Sequence, residues 1–323
     1  MEQTVGRFAP TPSGRMHLGN VLCYLLAWLA ARSRGGRIVL RIEDLDTLRA
    51  PLRYARALED DLRWLGLDWD EGGLANAGPH GPYCQSRRGA VYAQALEELA
   101  RQGRTYPCFC SRAELHAAQA PHLSDGRVLY AGTCRELSDE EIAARAARRA
   151  PAVRLRVPEE TVSFRDLRLG PQRIDLTRQW GDFLIRRSDG VFCYQLAAAV
   201  DDARMGVTQV VRGADLAAST APQLLLDRLL GLPAPAEFGH IPLLLSPDGT
   251  RLSKRDGALD LGALRRMLPG PQPILGLLAS LCGLIDRYEP VSAADLIPAF
   301  DWARLPAGDV RLPAHLPFPL AGA

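Results

Sequence analysis

Short apolar runs and amphipathic segments alternate along the first part of the chain. A strand is predicted over residues 4–9, before a loop rich in proline and glycine, and helical periodicity then extends from about residue 18 to residue 32. A second strand is predicted at 37–42 and a second helix at 51–65, with Thr47 as its cap. This order predicts an α/β fold built on a Rossmann-like, doubly wound parallel sheet.

The pattern is less regular after residue 103. Helices are predicted at 86–102, 138–149, 196–204, 216–230, 259–267 and 274–284, and strands at 182–187, 191–195, 207–212 and 241–245. Because regular periodicity is lost between 104 and 158, this stretch is expected to be an insertion. The chain is therefore divided into a nucleotide-binding half of the core (1–103), the insertion (104–158), a second half of the core (159–256) and a short helical C-terminal segment (257–323) with a proline-rich tail.

Composition narrows the class of protein only a little. The longest apolar stretches, 21–31 and 274–285, are shorter than the ~20 residues of a membrane-spanning helix, and residues 1–12 lack the apolar core of a secretory signal. A cytoplasmic protein without a membrane partner is expected. The net charge of +2 does not indicate a nucleic-acid partner, although a local basic stripe would suffice for one.

Two segments carry candidate phosphate chemistry. Residues 7–20 (RFAPTPSGRMHLGN) join the first strand to the first helix, where His17, Gly19 and outward-pointing backbone amides suit a phosphate. Residues 251–255 (RLSKR) contain Lys254, the one lysine among 39 basic residues. A lysine and flanking arginines on a mobile loop suit a triphosphate and its leaving pyrophosphate, whereas the alternative is an ordinary solvated loop.

These two segments resemble the HIGH and KMSKS signatures of class I aminoacyl-tRNA synthetases, here HLGN at 17–20 and RLSKR at 251–255. Four further motifs are similar to those of the glutamyl-tRNA synthetase group, in the family's order: RIEDLD at 41–46, QSR at 85–87, YQLA at 194–197 and VRGAD at 211–215. The resemblance covers about residues 5–256, most of the chain.

Two features differ from the glutamyl-tRNA synthetases and resemble one branch of this group, the glutamyl-Q tRNA(Asp) synthetases. Only 67 residues follow residue 256, fewer than a helical anticodon-binding domain needs, and a cysteine set lies at 108–134. The resemblance implies a monomer that activates L-glutamate with ATP and Mg²⁺ without needing tRNA. It then implies transfer of glutamate to queuosine in the anticodon loop of tRNA(Asp).

The resemblance also implies roles for individual residues. His17, Gly19 and Lys254 would be catalytic. Glutamate would be bound by Arg7, Phe8, Ala9, Pro10, Thr11, Glu43, Tyr194 and Arg212. ATP would be bound by His17, Gly19, Asn20, Ser253, Lys254 and Arg255. From charge alone, Arg7 and Arg212 suit the two carboxylates of glutamate, and Glu43 suits its ammonium group.

The cysteine set predicts a structural zinc site in the insertion. Cys108, Cys110 and Cys134 are spaced as metal ligands, with buried core thiols as the alternative. The resemblance implies Tyr130 as the fourth ligand, while His116, His122 and Cys84 remain candidates by residue type. The other cysteines, Cys23, Cys193 and Cys282, lie in apolar runs and are expected in the core. The basic run at 145–156 is either an RNA phosphate track or a solvated helix face.

Other functions stay open at this point. One is a truncated glutamyl-tRNA synthetase that charges tRNA(Glu), which would need tRNA for activation. Another is an adenylyltransferase of the same fold that acts on a small molecule. A third is a catalytically inactive, tRNA-binding paralogue, although such a protein would have no need to keep His17, Glu43, Arg212 and Lys254 together.

Overall fold

The first part of the computed structural model follows the predicted order of strands and helices. The model describes residues 3–111, 114, 129–252 and 260–318. The first elements are β1 (Val5–Phe8), α1 (Leu18–Arg32), β2 (Arg37–Leu40), α2 (Leu52–Trp64) and β3 (Glu71–Gly72). The three strands form a parallel sheet in the order β1-β2-β3. The expected parallel sheet is confirmed for this part of the chain.

The predicted cap of α2 is wrong. Thr47 lies in a turn, and Pro51 is the residue at the N-cap position, in an extended conformation just before Leu52. Proline cannot donate a backbone hydrogen bond and has a fixed φ, so it is well placed where a helix begins and its amides lack partners. The turn at Thr47 therefore separates β2 from α2 by several residues.

The insertion has a small antiparallel sheet of its own. After a 3₁₀ turn at Gln85–Arg87 come α3 (Gly89–Arg101), β4 (Thr105–Cys108), α4 (Asp139–Ala146) and β5 (Ala152–Leu155). The helix predicted at 86–102 is thus interrupted at Arg88. Helix α4 begins with a capping box, because the amide of Glu141 donates to Ser138 Oγ (3.2 Å) and the amide of Ser138 donates to Glu141 Oε2 (2.9 Å).

The second half of the core adds strands that the sequence analysis did not predict. The elements are β6 (Thr161–Asp166), β7 (Gly170–Asp175), α5 (Leu176–Gln179), β8 (Leu184–Arg186), α6 (Tyr194–Arg204), β9 (Gln209–Gly213), a 3₁₀ helix (Ala214–Ser219), α7 (Thr220–Leu230) and β10 (Glu237–Ile241). Strand β8 pairs with β5, in the order β4-β5-β8. The other sheet has the order β7-β6-β10-β9, parallel except for the antiparallel β6–β7 hairpin. This four-stranded sheet is therefore mixed, and the single doubly wound parallel sheet that was expected is not seen in the described residues.

Strand β1 lies beside β9, which brings the two halves of the core together. The amide of Thr208 donates to the carbonyl of Val5, and the amide of Val5 donates to Thr208 Oγ1, both over 2.9 Å. Further along, the side chain of Arg7 reaches the carbonyl of Val211. The residue numbers rise together on the two strands, so they run in the same direction. The carboxyl ends of β1, β2, β9 and β10 consequently meet at one edge.

The C-terminal segment packs onto this core. Its elements are β11 (Leu244–Leu245), α8 (Leu261–Met267), α9 (Gln272–Leu281), 3₁₀ helices at Ala294–Ala299 and Trp302–Arg304, and β12 (Val310–Arg311). Leu264 and Leu278 belong to the same buried cluster as α1. Trp302 covers Gly239 so closely that a Cβ there would lie 2.2 Å from the indole. The segment is thus an integral layer of the fold.

Two strand predictions near this segment need correction. The strand predicted at 241–245 is in fact the end of β10 and the separate short β11, because Pro242 has no amide hydrogen to continue the ladder. The tail after residue 305, expected to be irregular, contains β12, which pairs in parallel with β11. Among the described residues, no helix is long and apolar enough to span a membrane.

Candidate active site

A cleft of about 480 Å³ opens at the edge where the carboxyl ends of the strands meet. Its walls come from both halves of the core. Nine of the residues predicted for glutamate and ATP line it: Arg7, Ala9, Thr11, His17, Gly19, Asn20, Glu43, Tyr194 and Arg212. Residues that are far apart in the sequence are therefore brought together around one space.

Two of the predicted residues, Phe8 and Pro10, are described but do not line the cleft. Phe8 is fully buried beneath it and packs edge-to-face on Tyr24, with ring centroids 5.5 Å apart. Pro10 contributes its carbonyl, which accepts a hydrogen bond from the amide of Glu43 (2.8 Å). Both residues thus shape the wall from behind. The other three, Ser253, Lys254 and Arg255, lie outside the described residues.

The N-terminus of α1 faces the cleft. His17 is the N-cap residue, and its amide donates to Oδ1 of Asn20 over 3.1 Å. A Cβ on Gly19 would lie 3.1 Å from the imidazole ring of His17, so glycine at this position leaves the ring its space. The positive end of a 15-residue helix therefore points at the cleft, as phosphate binding requires.

The side chain of Arg212 is held by four neutral groups. Its Nε donates to His240 Nε2 (3.1 Å), one Nη donates to Tyr194 Oη (3.3 Å) and Gln223 Oε1 (2.8 Å), and the other donates to Thr220 Oγ1 (2.9 Å). The guanidinium group is buried, 4% exposed. Within the described part of the chain, no carboxylate forms an ion pair with it. A buried cation held only by neutral acceptors has an unmatched positive charge, which suits the binding of an anion.

The contact between Arg212 and His240 fixes the tautomer of the imidazole. Nε2 must accept the proton of the guanidinium, so the ring proton lies on Nδ1, which is 2.6 Å from Asp166 Oδ2. Burial lowers the pKa of His240, the positive charge of Arg212 acts in the same direction, and Asp166 opposes them. A neutral histidine, oriented by a buried carboxylate, thus positions the arginine.

A second buried arginine, Arg41, is surrounded by carboxylates. It contacts Asp202 (2.5 Å) and Glu43 (3.0 Å), and its Nε is 3.9 Å from Asp201. Burial disfavours its charge, but these carboxylates outweigh burial and raise its pKa well above the usual range. Arg7 approaches the same group, with its Nε 3.6 Å from Asp202 Oδ1. This network holds Glu43 at the cleft wall.

Several residues of the cleft were missed by the sequence analysis. Tyr24 lines it, and so does Cys23, which was expected in the core. Burial raises the pKa of Cys23 to about 11, so its thiol is neutral. Asp215 also lines the cleft and forms an ion pair with Arg251 (2.5 Å), the first residue of the RLSKR segment. The VRGAD motif contains Asp215, but nothing in the sequence indicates that Arg251 is its partner.

The other two cysteines expected in the core have different surroundings. Cys282 is fully buried, as predicted. Cys193 is half-buried at the N-cap of α6.

The three cysteines of the insertion converge on one point. The sulfur atoms of Cys108, Cys110 and Cys134 all lie within 4.8 Å of one another, and that of Cys110 is 3.6 Å from that of Cys134. The hydroxyl of Tyr130 is 3.7 Å from Cys108 Sγ and 3.9 Å from Cys110 Sγ. Bonds of ~2.3 Å to a tetrahedral ion imply edges of about 3.8 Å, so this donor set fits such an ion.

Of the three alternative candidates for the fourth metal ligand, only Cys84 is among the described residues. Cys84 lies in the main core around α1, a separate cluster from the one that contains the three thiols. His116 and His122 lie outside the described residues. Tyr130 is therefore the candidate that the described structure places beside the sulfur atoms.

Arg154 adds a positive charge to this cluster. Its Nε donates to Cys108 Sγ (3.2 Å), and its guanidinium lies 3.7 Å from the centroid of the Tyr130 ring. Burial opposes ionisation of Cys108, but Arg154 outweighs it and lowers the pKa of this thiol. Arg154 is buried, so it cannot belong to a surface phosphate track as the basic run at 145–156 suggested.

Comparisons with known proteins identify the family of the chain. The family model described as "tRNA synthetases class I (E and Q), catalytic domain" matches residues 3–279. A protein of Symbiobacterium thermophilum named glutamyl-Q tRNA(Asp) synthetase is 54% identical over 98% of both chains, and its namesake in Nitratidesulfovibrio vulgaris is 49% identical over 96% of both. The crystal structure of a glutamate-tRNA synthetase from Elizabethkingia anophelis superposes with a TM-score of 0.82 at 29% identity, over 97% of this chain and 68% of the other.

The chain therefore belongs to the glutamate and glutamine branch of the class I tRNA synthetases, a family of ligases. Its relatives of similar length carry the more particular name glutamyl-Q tRNA(Asp) synthetase.

Proposed function

We propose that this protein activates L-glutamate with ATP, without needing tRNA, and transfers the glutamyl group to queuosine in the anticodon loop of tRNA(Asp). The observation that carries the proposal is the buried guanidinium of Arg212, which has neutral partners and faces the cleft. An amino acid with a carboxylate side chain supplies the missing negative charge. Relatives named for this reaction align over nearly the whole chain.

Glutamate would be held by charges on three sides. Arg212 would bind the side-chain carboxylate, since its neutral partners leave its charge for the substrate. Glu43, whose second contact is with Arg41, would take the ammonium group. Arg7 would steady the reacting carboxylate, and Tyr194 would close the rim. The remaining wall, formed by the backbone of residues 8–11, would follow the shape of the substrate.

ATP would lie toward α1. His17, Gly19 and Asn20 would hold its phosphates at the helix N-terminus, and Ser253, Lys254 and Arg255 would close over them from the RLSKR segment. The carboxylate of glutamate would attack the α-phosphate, pyrophosphate would leave, and Lys254 would stabilise its negative charge. Bound Mg²⁺, which this class uses, would neutralise phosphate charge. Positioning and charge stabilisation are thus the main tasks of the protein.

Transfer then requires an RNA loop at the mouth of the cleft. A base in a loop is unstacked more readily than one in a duplex, so queuosine in the anticodon can enter a pocket of this kind. We propose a monomer that works in the cytoplasm, where its tRNA is found. We also propose that the two halves of the core, the insertion and the C-terminal segment are separated at about residues 103, 158 and 256.

We propose that Cys108, Cys110, Tyr130 and Cys134 hold a structural zinc ion. The fit of the four donors to a tetrahedron supports this, as does the guanidinium of Arg154, which favours the thiolate form of Cys108. A bound zinc ion would hold the segment that carries Tyr130 and Cys134 against the end of β4, where Cys108 lies.

The proposed activity is tested by ATP–pyrophosphate exchange with each amino acid, with and without total tRNA. We expect exchange with glutamate alone, followed by transfer of labelled glutamate to tRNA(Asp) that carries queuosine and not to unmodified tRNA(Asp). Exchange only in the presence of tRNA, with label on tRNA(Glu), would identify a truncated glutamyl-tRNA synthetase instead. Absence of exchange under both conditions would contradict activation of glutamate altogether.

The role of the RLSKR segment is tested by Lys254→Ala. We expect a strong loss of exchange with an unchanged unfolding temperature, because the proposed role of Lys254 is to stabilise phosphate charge and not the fold. Normal exchange by this variant would contradict the assignment.

The zinc site is tested by metal analysis of the purified protein. We expect about one zinc ion per chain, and loss of zinc in Cys134→Ser. Cys282→Ser is the matched control, since this thiol is buried in another part of the core and the variant should keep its zinc. Full zinc content in Cys134→Ser would contradict the site.

A further inference from the structure

The large apolar side chains that are exposed in the described part of the chain lie together beside the cleft. Leu48 is 94% exposed and Leu52 is 50% exposed. Between and after them, Arg49, Arg53 and Arg56 are also exposed. We call these five residues the Leu48 patch. Two leucines and three arginines are thus exposed together. Among the described residues, no other large apolar side chain is exposed to this extent, so the patch requires an explanation.

The loop that carries Leu48 is held on both sides. Asp44 accepts hydrogen bonds from the amide (2.9 Å) and the hydroxyl (2.7 Å) of Ser86, and Asp46 pairs with Arg187 over 3.0 Å. The carbonyl of Asp46 also accepts from the amides of Arg49 and Ala50, both over 3.0 Å. Leu48 is therefore presented to solvent by a fixed turn.

The patch lies close to the cleft along the chain. Leu48 follows Glu43 by five residues, so the two Cα atoms are at most about 18 Å apart. Glu43 lines the cleft, and Arg187, which holds the turn, lies on the segment just before Tyr194, another cleft residue. The patch is therefore within reach of a macromolecule that places a group in the cleft.

The charge of the patch favours a nucleic acid. Arg53 and Arg56 take part in none of the ion pairs among the described residues, and Arg49 has one contact, its Nε 3.7 Å from Asp46. Arg53 extends over the ring of Tyr54, 4.8 Å from its centroid, so its guanidinium is presented as a flat surface. Exposed arginines bind phosphates, and apolar side chains insert beside bases that have left the stack.

We infer that the Leu48 patch binds the RNA loop that delivers the acceptor base, with Leu48 and Leu52 packed against a neighbouring base and the arginines on phosphates. The inference rests on the proposed function, because it names the surface that the RNA substrate uses. Leu48 fills the space that the departing base leaves, and the hydrogen bonds of the turn keep this leucine exposed to the RNA.

The test measures RNA binding and amino-acid activation separately. The probe is a fluorescent hairpin with the anticodon stem-loop sequence of tRNA(Asp), titrated by anisotropy at several salt concentrations. We expect Leu48→Ala/Leu52→Ala to raise Kd at least about fivefold, and Arg53→Gln/Arg56→Gln to weaken binding and reduce the salt dependence. Arg101→Gln and Arg178→Gln remove exposed arginines elsewhere and should change Kd less than about twofold. Exchange with glutamate in the absence of RNA should stay at the wild-type rate in all four variants.

Unchanged hairpin binding by the double leucine variant would overturn the inference. Dissociation of a wild-type dimer by the same variant, with RNA binding intact, would also overturn it and identify the patch as a contact between copies of this chain. A wild-type protein that binds the hairpin through the patch but transfers no glutamate to tRNA(Asp) would leave the RNA surface standing and contradict the proposed function instead.

Discussion

Two buried arginines at the floor of the core have opposite surroundings. Arg41 is 1% exposed and lies among the carboxylates of Asp202, Glu43 and Asp201, whereas Arg212 is 4% exposed and has only neutral partners among the described residues. A buried guanidinium with its counter-charges belongs to the scaffold. We propose that the buried guanidinium without them takes its counter-charge from the substrate, so the difference separates a structural arginine from one that recognises substrate.

The largest expected effect is the loss of stability when Arg41 is removed. Arg41→Leu leaves Asp202 and Glu43 buried without their main cation, which should lower the free energy of unfolding by about 3–5 kcal/mol in urea denaturation. Arg101→Leu, at an exposed helix position, is the control and should change it little. If the free energy of unfolding falls by less than about 1 kcal/mol in Arg41→Leu, the proposed difference between the two arginines is contradicted.

The same substitution at Arg212 should change function and not stability. Arg212→Leu removes an uncompensated buried charge, so the free energy of unfolding should stay the same or rise. In pyrophosphate exchange, kcat/KM for glutamate should fall at least about 100-fold, while KM for ATP changes little. Equal losses for glutamate and ATP would show that Arg212 supports the whole site and does not select the amino acid.

Asp227 allows the comparison to be reversed, because it is a buried carboxyl that forms no ion pair with the described residues. It is 2% exposed, and its Oδ1 has no hydrogen-bond partner within the described part of the chain. Burial, aided by the nearby negative charge of Asp202, raises the pKa of Asp227 to about 8. Between its usual pKa and this value, the unfolded chain is ionised while the folded protein keeps the proton. The contribution of Asp227 to stability is therefore lost as pH rises toward 8.

This sign is tested by Asp227→Asn, which removes the titration. The variant should gain stability relative to the wild type by about 2–3 kcal/mol as pH rises from about 5.5 to 7.5. The measurement is urea denaturation of both proteins across that range. A stability difference that does not depend on pH would contradict the assignment.

The smallest effect concerns the histidine behind Arg212. His240→Phe keeps the volume but removes the acceptor for the guanidinium Nε, so KM for glutamate should rise about tenfold with a smaller change in kcat. His240→Gln restores an acceptor and should recover most of the loss. If KM stays unchanged in His240→Phe, the three other neutral partners position Arg212 without help from His240.

The sequence predicted the first half of the fold well because its signals are local. Helix α1 and strands β1 and β2 follow clear apolar periodicity, and their bounds differ from prediction by two residues or fewer. The β6–β7 hairpin escaped prediction because its strands are largely polar and exposed on alternate positions, so they lack an apolar stripe. Thr47 was mistaken for a cap because proline at a helix start leaves no side-chain signal of capping.

The sequence predicted some residues of the candidate site and missed the residues that position them. Motifs identified Arg7, Glu43 and Arg212, because a phosphate-binding or strand-end position marks each of them in the sequence. The residues that hold them, such as His240 and Asp166, were missed. They are 74 positions apart and Arg41 is 161 positions from Asp202, so contacts of this kind carry no periodic signature. Only the folded chain shows which polar residues are buried together.

The most direct test of the account compares L-glutamate with L-glutamine in pyrophosphate exchange, for the wild type and for Arg212→Leu. The two amino acids differ by a charge on the side chain, which is the property that Arg212 is proposed to recognise. We predict that the wild type prefers glutamate by at least about 100-fold in kcat/KM and that most of this preference is lost in Arg212→Leu. An unchanged preference in the variant would contradict the claim that the uncompensated arginine selects the substrate.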